Sequence, residues 1–369
     1  MLCPAMIRAV LLAAASLMAH LTAGPAVAEP APRLAPLPSL KGAEVTVSGL
    51  SSGGFFAHQM HVAYSSRISG AGIVAGGPFG CAEQFPAWLS FNPARRLLMA
   101  TVTCSTKGRG TWWDLWLPRA PSGEAAADAV RAAAASGSID DPRHLAGSRV
   151  WLFWGVGDHV VPPDTMRAVR AAYERLGVAA PALEHVERPD AAHGLPVQES
   201  VGEGPFPRAA CGAEVTPYLI DCGFDAAASI LGHLHRDPFD ARPQAADPAR
   251  FARFDQGEFT RRPISLGEAG TLYVPGSCAG AARCRLHVVF HGCHQTEREV
   301  GDVFTRHAGY NEYAHANGIV VLYPQVVIDP AVNPEGCWDW WGYTGTDYET
   351  REGPQMRAVR AMILRLTGE

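Results

Sequence analysis

A serine, an aspartate and a histidine occur along this chain in that order, each in a setting that suits a nucleophile and its activating partners. Ser51 lies in Gly49-Leu50-Ser51-Ser52-Gly53, a G-x-S-x-G run between a strand-like segment and a helix-prone one. This spacing puts the serine on a sharp strand-to-helix turn, where glycines two residues to either side remove side chains that would collide. The turn exposes the Ser51 hydroxyl and aims the Ser52 amide at the charge that develops on an attacked carbonyl oxygen. Any glycine-rich loop can match the pentapeptide; its place between strand and helix favours the chemical reading.

A serine needs a base, and the base needs an orienting carboxylate. Asp158 follows the apolar run at 150–154, in a loop after a strand, whereas Asp164, just before a helix, suits a capping role. The chain has 14 histidines. His193 stands apart because it completes the order and sits beside Gly194 in a loop after the strand at 183–186. His58 and His61 lie on a helix, His159 adjoins the acid, and His185 lies inside a strand. A second amide donor comes from the strand at 286–290, which runs into His291-Gly292-Cys293-His294 and offers the Cys293 amide. A disulfide through the Cys293 sulfur leaves that N–H free.

Elements that must position these residues follow from periodicity. Strands are expected at 44–48, 68–75, 150–154, 183–186, 270–274, 286–290 and 318–323. Helices are expected at 55–64, 124–135, 165–176, 225–235, 302–316 and 355–366. Residues 29–43 read as a Pro-rich surface arm, and 236–262 as an aperiodic excursion or linker. Strands alternating with helices predict an α/β fold with a mostly parallel central sheet flanked by helices. Only one strand precedes Ser51, and the His-Gly loop comes late. In an ordinary α/β-hydrolase the oxyanion loop and several strands precede the serine, so the order predicts a circularly permuted α/β-hydrolase.

The Gly-Leu-Ser-Ser-Gly run near the start, Asp158, His193 and the late Phe290-His291-Gly292-Cys293-His294 resemble poly(3-hydroxybutyrate) depolymerases with a permuted catalytic domain. The stretches Gly309-Tyr310-Asn311-Glu312-Tyr313-Ala314 and Cys337-Trp338-Asp339-Trp340-Trp341 resemble that family as well. The resemblance implies a serine esterase acting on polyester, with Ser51, Asp158 and His193 as triad and the Ser52 and Cys293 amides as oxyanion hole. It implies no cofactor and no metal. Many secreted members add a linker and a polymer-binding domain; none is expected within residues 29–369, which read as one catalytic domain. Trp338, Trp341 and Tyr343 are candidate substrate contacts, with core packing as the alternative. An extended run would put Trp338 and Trp340 on one face and Trp341 on the other. Plant-polymer esters, feruloyl or acetyl, are the runner-up substrates, and a non-catalytic polymer-binding role is a further alternative.

Composition sets the outer limits. The 369 residues carry a formal net charge of −5, so a nucleic-acid partner is not expected. With 47% hydrophobic and 18% charged residues the chain is globular, and no segment beyond the start is apolar enough to span a bilayer. Residues 1–28, with Arg8, an apolar run and Ala26-Val27-Ala28, read as a signal peptide, which predicts a secreted or periplasmic protein. Of nine cysteines, Cys3 falls in that segment. The other eight form neighbouring couples: Cys81 with Cys104, Cys211 with Cys222, Cys278 with Cys284, and Cys293 with Cys337. These are the pairings expected in an oxidising compartment, among the many that eight cysteines allow.

Overall fold

The computed structural model describes residues 30–84, 93–105, 120–198, 206–235, 238–280 and 282–369. The expected signal peptide lies outside them. Among the described residues there are eleven strands: β1 (Val45–Leu50), β2 (Ile68–Val74), β3 (Arg149–Gly155), β4 (Leu183–Arg188), β5 (Leu195–Pro196), β6 (Ala209–Ala210), β7 (Leu219–Asp221), β8 (Phe251–Asp255), β9 (Ala269–Tyr273), β10 (Arg285–Phe290) and β11 (Ile319–Tyr323). The helices are α1 (Ser52–Ala63), α2 (Pro93–Cys104), α3 (Gly123–Ala135), α4 (Pro163–Arg175), α5 (Ala226–Leu234), α6 (Glu297–Val300), α7 (Val303–His307), α8 (Tyr310–Asn317) and α9 (Pro354–Thr367).

Eight strands form one sheet in the order β4-β3-β2-β1-β10-β11-β9-β8. Pairings from β4 across to β11 are parallel, and β9 and β8 close the far side antiparallel. The permutation is visible in this order: β1, which leads to Ser51, is central, and the four strands on its β10 side all come late in the chain. Alternate side chains feed two cores, as a sheet covered on both faces requires. Val45, Val47, Leu152, Trp154, Val288 and Phe290 face the layer of α1, α3, α4 and α9. Trp151, Phe153, Val289 and Val321 face α5, α7 and α8. Thr46 and Ser48 lie buried on the second side of β1, where both hydroxyls bond the His287 ring at 2.7 and 2.8 Å. Ser48 also donates to the Tyr310 hydroxyl. Burial holds His287 well below its ordinary pKa, so this network is neutral.

Three expectations change. Residues 236–262 are not a linker: Phe251–Asp255 forms edge strand β8. Phe254 is its one fully buried side chain, so an edge strand with a wet face leaves little periodic signal. The arm at 29–43 is not merely on the surface. Leu34 and Leu40 enter the core, and the Leu37 amide donates to the Leu366 carbonyl of α9. The helix expected at 302–316 is two, α7 and α8, broken at Gly309. That residue has φ +83°, and a Cβ there would lie 2.6 Å from the Asp225 carboxyl.

Candidate active site

Ser51, Asp158 and His193 follow β1, β3 and β4, so all three stand at the C-terminal edge of the parallel sheet, where α/β folds place their chemistry. Ser51 has φ +56° and ψ −124°, a strained conformation for a residue with a Cβ. The flanking glycines make the turn sterically possible. A Cβ on Gly49 would lie 2.3 Å from the Gly53 carbonyl oxygen, and one on Gly53 2.3 Å from that of Phe290. The elbow is therefore pressed directly against β10. Ser52 opens α1, where a first-turn amide has no intrahelical acceptor, and its hydroxyl accepts from the Trp338 amide.

Asp158 and His193 are both buried, and Nδ1 of His193 lies 2.8 Å from Oδ2 of Asp158. The other carboxylate oxygen accepts the Val160 and Val161 amides at 2.8 and 2.7 Å, which fixes its orientation. With the Nδ1 proton donated to Asp158, Nε2 is left as a proton acceptor. The His193 loop is clamped from both sides. Gly157 donates to the Ala191 carbonyl and Ala192 to that of Cys211, while Leu195 donates to Tyr218. The Tyr218 ring sits edge-on to His193 with centroids 5.8 Å apart. Other histidines have different surroundings. Burial lowers the pKa of His58 and of His291 to about 4, and that of His61 to about 3. His58 and His61 bond Gly77 and Tyr173 inside the core.

The loop after β10 passes close to the elbow: a Cβ on Gly292 would lie 3.2 Å from that of Ser51. Gly292 donates its amide to Oε1 of Gln295, and His294 donates to the Glu335 carbonyl. Among the described residues the Cys293 amide between them has no protein acceptor. Cys293 is bonded to Cys337, and the other three expected pairs are bonded too: Cys81–Cys104, Cys211–Cys222 and Cys278–Cys284. Cys293, Glu335 and Cys337 converge, but the two sulfurs are bonded to each other, so neither is a free thiolate ligand.

Ser51, Ser52 and Cys293 open on a cavity of about 380 Å³ with mostly apolar walls. Trp341 lines it. Trp338 does not: it is fully buried, stacked on Phe56 at 4.6 Å and edge-on to Phe290 at 5.1 Å. Tyr343 stands behind Trp341 at 4.8 Å, outside the cavity wall, with its hydroxyl bonded to the Cys337 carbonyl. Trp340, assigned by alternation to the face of Trp338, lines the cavity beside Trp341. The alternation fails because the segment is not extended. Buried Asp339 gathers the amides of Trp341, Gly342, Tyr343 and Thr344 onto its carboxylate and curls the chain. The opposite wall includes Leu97, Leu98 and Thr101 of α2, whose end is bonded to the main body through Cys81–Cys104. That helix has no counterpart among the expected elements.

Behind this wall Glu349 is buried and accepts the Gly80 amide at 2.7 Å. Burial raises its pKa from 4.5 to about 8, helped by the nearby Glu83 carboxylate. A carboxyl whose folded pKa is raised holds a proton that the unfolded chain has released. Its contribution to stability is complete below pH 4.5 and is lost as pH rises through about 8. Glu349→Gln should flatten the fall in urea midpoint over that window; an unchanged slope would show that Glu349 is not its source.

In comparisons with known proteins, no family model matches the chain. It is 38% identical over 338 residues to a poly(3-hydroxybutyrate) depolymerase of Delftia acidovorans, covering 90% of this chain and 61% of that one. A polyhydroxybutyrate depolymerase of Talaromyces funiculosus is 29% identical over 334 residues, covering 86% and 88%. The crystal structure of PHB depolymerase from Penicillium funiculosum superposes with TM-score 0.74 at 28% identity, over 91% of this chain and 99% of that one. A serine-to-alanine PHB depolymerase complexed with an R3HB trimer gives TM-score 0.75 at 27% identity, with the same coverage. Each of these relatives is a poly(3-hydroxybutyrate) or PHB depolymerase, and the likeness covers 86% or more of this chain. The chain spans about three fifths of the length of the Delftia relative.

Proposed function

We propose that this chain is an exported serine esterase that hydrolyses ester bonds of poly(3-hydroxybutyrate) or its oligomers through an acyl-enzyme. The observation that carries the reading is a strained Ser51 opening on an apolar cavity, with a buried Asp158–His193 pair off the same sheet edge. Ser51 attacks the ester carbonyl as His193 takes its proton at Nε2. Asp158 holds the imidazole tautomer and stabilises the imidazolium. The Ser52 and Cys293 amides bind the oxyanion, and Trp340 and Trp341 pack against the methyl-bearing chain. His193 then passes its proton to the leaving alcohol. Water, deprotonated by His193, attacks the ester on Ser51 and releases the hydroxyacid. The family's solved complex with an R3HB trimer supports this choice of substrate.

In this proposal residues 1–28 direct export and 29–369 form the catalytic domain, which acts in the periplasm or medium. Four disulfides suit that oxidising setting. Among the described residues no helix is long and apolar enough to cross a membrane.

The test is to assay the purified chain on amorphous poly(3-hydroxybutyrate) beside a feruloyl ester and an acetylated plant polymer. The polyester should release soluble hydroxyacids faster by about tenfold or more, the size of a well-fitted pocket's preference. Faster cleavage of either plant ester would assign the same machinery to a different substrate. Binding to the polyester without turnover would leave a binding protein.

A further inference from the structure

We propose that Gln295 is a positioning residue that ties the loop bearing the Cys293 amide to the turn packed on His193, so that oxyanion donor and base keep one register. This rests on the catalytic reading above. Gln295 is buried, and it spends both ends of its amide on backbone. Oε1 accepts the Gly292 N–H at 2.6 Å, and Nε2 donates to the Pro217 carbonyl at 2.5 Å. The orientation is fixed by these partners, because an amide N–H can only donate and a carbonyl can only accept.

Gly292 sits one residue from the proposed oxyanion donor, and Pro217 one residue from the ring packed on His193. Gly292 precedes Cys293 and lies against Ser51. Pro217, itself buried, precedes Tyr218, whose ring abuts His193 and whose carbonyl accepts the Leu195 amide. The two loops belong to different sheets. One follows β10 of the eight-stranded sheet; the other leads into β7 of a three-stranded sheet ordered β5-β7-β6. A buried, two-ended link where the two loops meet holds what neither loop's own strand can hold. Without it the Gly292 N–H and Pro217 C=O lose their buried partners, and each loop must shift to find others.

The decisive variant is Gln295→Glu, which keeps the shape. Ionised, it still accepts from Gly292 but cannot donate to Pro217 and places a charge against that carbonyl. Protonated, it regains the donor. Gln295→Leu removes both bonds. The readout is kcat and KM on a soluble 3-hydroxybutyrate oligomer, as a ratio to the unaltered protein at each pH, with melting temperature alongside. For Gln295→Glu at about pH 8, kcat should fall by about 10- to 100-fold, somewhat less than the loss of a whole oxyanion donor, while KM changes less than about threefold. The deficit should shrink as pH falls towards the carboxyl's own pKa, which burial raises. Gln295→Leu should show the same kcat loss with no such recovery. A Gln295→Glu kcat within about twofold of the unaltered protein at about pH 8, or a deficit that stays constant with pH, would overturn the assignment whether or not Gln295→Leu folds. Failure of the catalytic reading itself looks different: the unaltered protein would not turn over the oligomer, or Ser51→Ala would retain its rate.

Discussion

Ser51→Ala should abolish ester hydrolysis, with kcat lower by about a millionfold, the scale seen when a nucleophilic serine is removed from a triad. The side chain is small and the elbow is held by backbone contacts of Gly49, Gly53 and Phe290, so the fold should survive. Alanine at φ +56° carries the same Cβ as serine, and the strain is unchanged. The variant should melt within a few degrees of the unaltered chain and still bind oligomer. Near-normal turnover in a folded Ser51→Ala would remove the serine from the mechanism.

Asp158→Asn should cost about 10⁴ in kcat. Its Oδ2 accepts from His193, and its Oδ1 accepts two backbone amides that fix the group's rotation. The asparagine oxygen stays with those amides. Its NH2 then faces Nδ1 and donates to it, which forces the imidazole proton onto Nε2, where it can no longer accept from Ser51. Asp164 is the control. It is exposed at the start of α4 and pairs with Arg167 at 2.8 Å, so Asp164→Asn should leave kcat within about twofold, as an exposed ion pair contributes little. A larger loss at Asp164 than at Asp158 would show that the acid has been misassigned. Both assays report kcat on soluble oligomer beside the melting temperature.

The chain order carries much of this arrangement. Gly49, Ser51 and Gly53 are constrained by contacts within a few residues and with one neighbouring strand, so spacing alone exposes the turn. Buried parallel strands such as Val150–Trp154 and Ile319–Tyr323 are continuous apolar runs, and the late position of His291-Gly292 reveals the permutation. What stayed hidden depends on distant partners. Trp338 and Trp340 part company, one in the core and one on the cavity wall, because buried Asp339 curls the segment around its carboxylate, and periodicity assumes a straight strand. The wall formed by α2 is amphipathic over a short stretch between segments of irregular composition. Strand β8 is recognisable only beside β9. Gln295 is one polar residue in a loop, and its meaning appears only when Pro217, from another part of the chain, is beside it.

The most direct test of the account is to mix the protein with a short 3-hydroxybutyrate oligomer, quench in acid within the first turnovers, and map the modified peptide by mass spectrometry. The account predicts a 3-hydroxyacyl ester on Ser51 that accumulates before steady state and is absent from Ser51→Ala. Turnover with an unmodified Ser51, or with the acyl group on another residue, would contradict it.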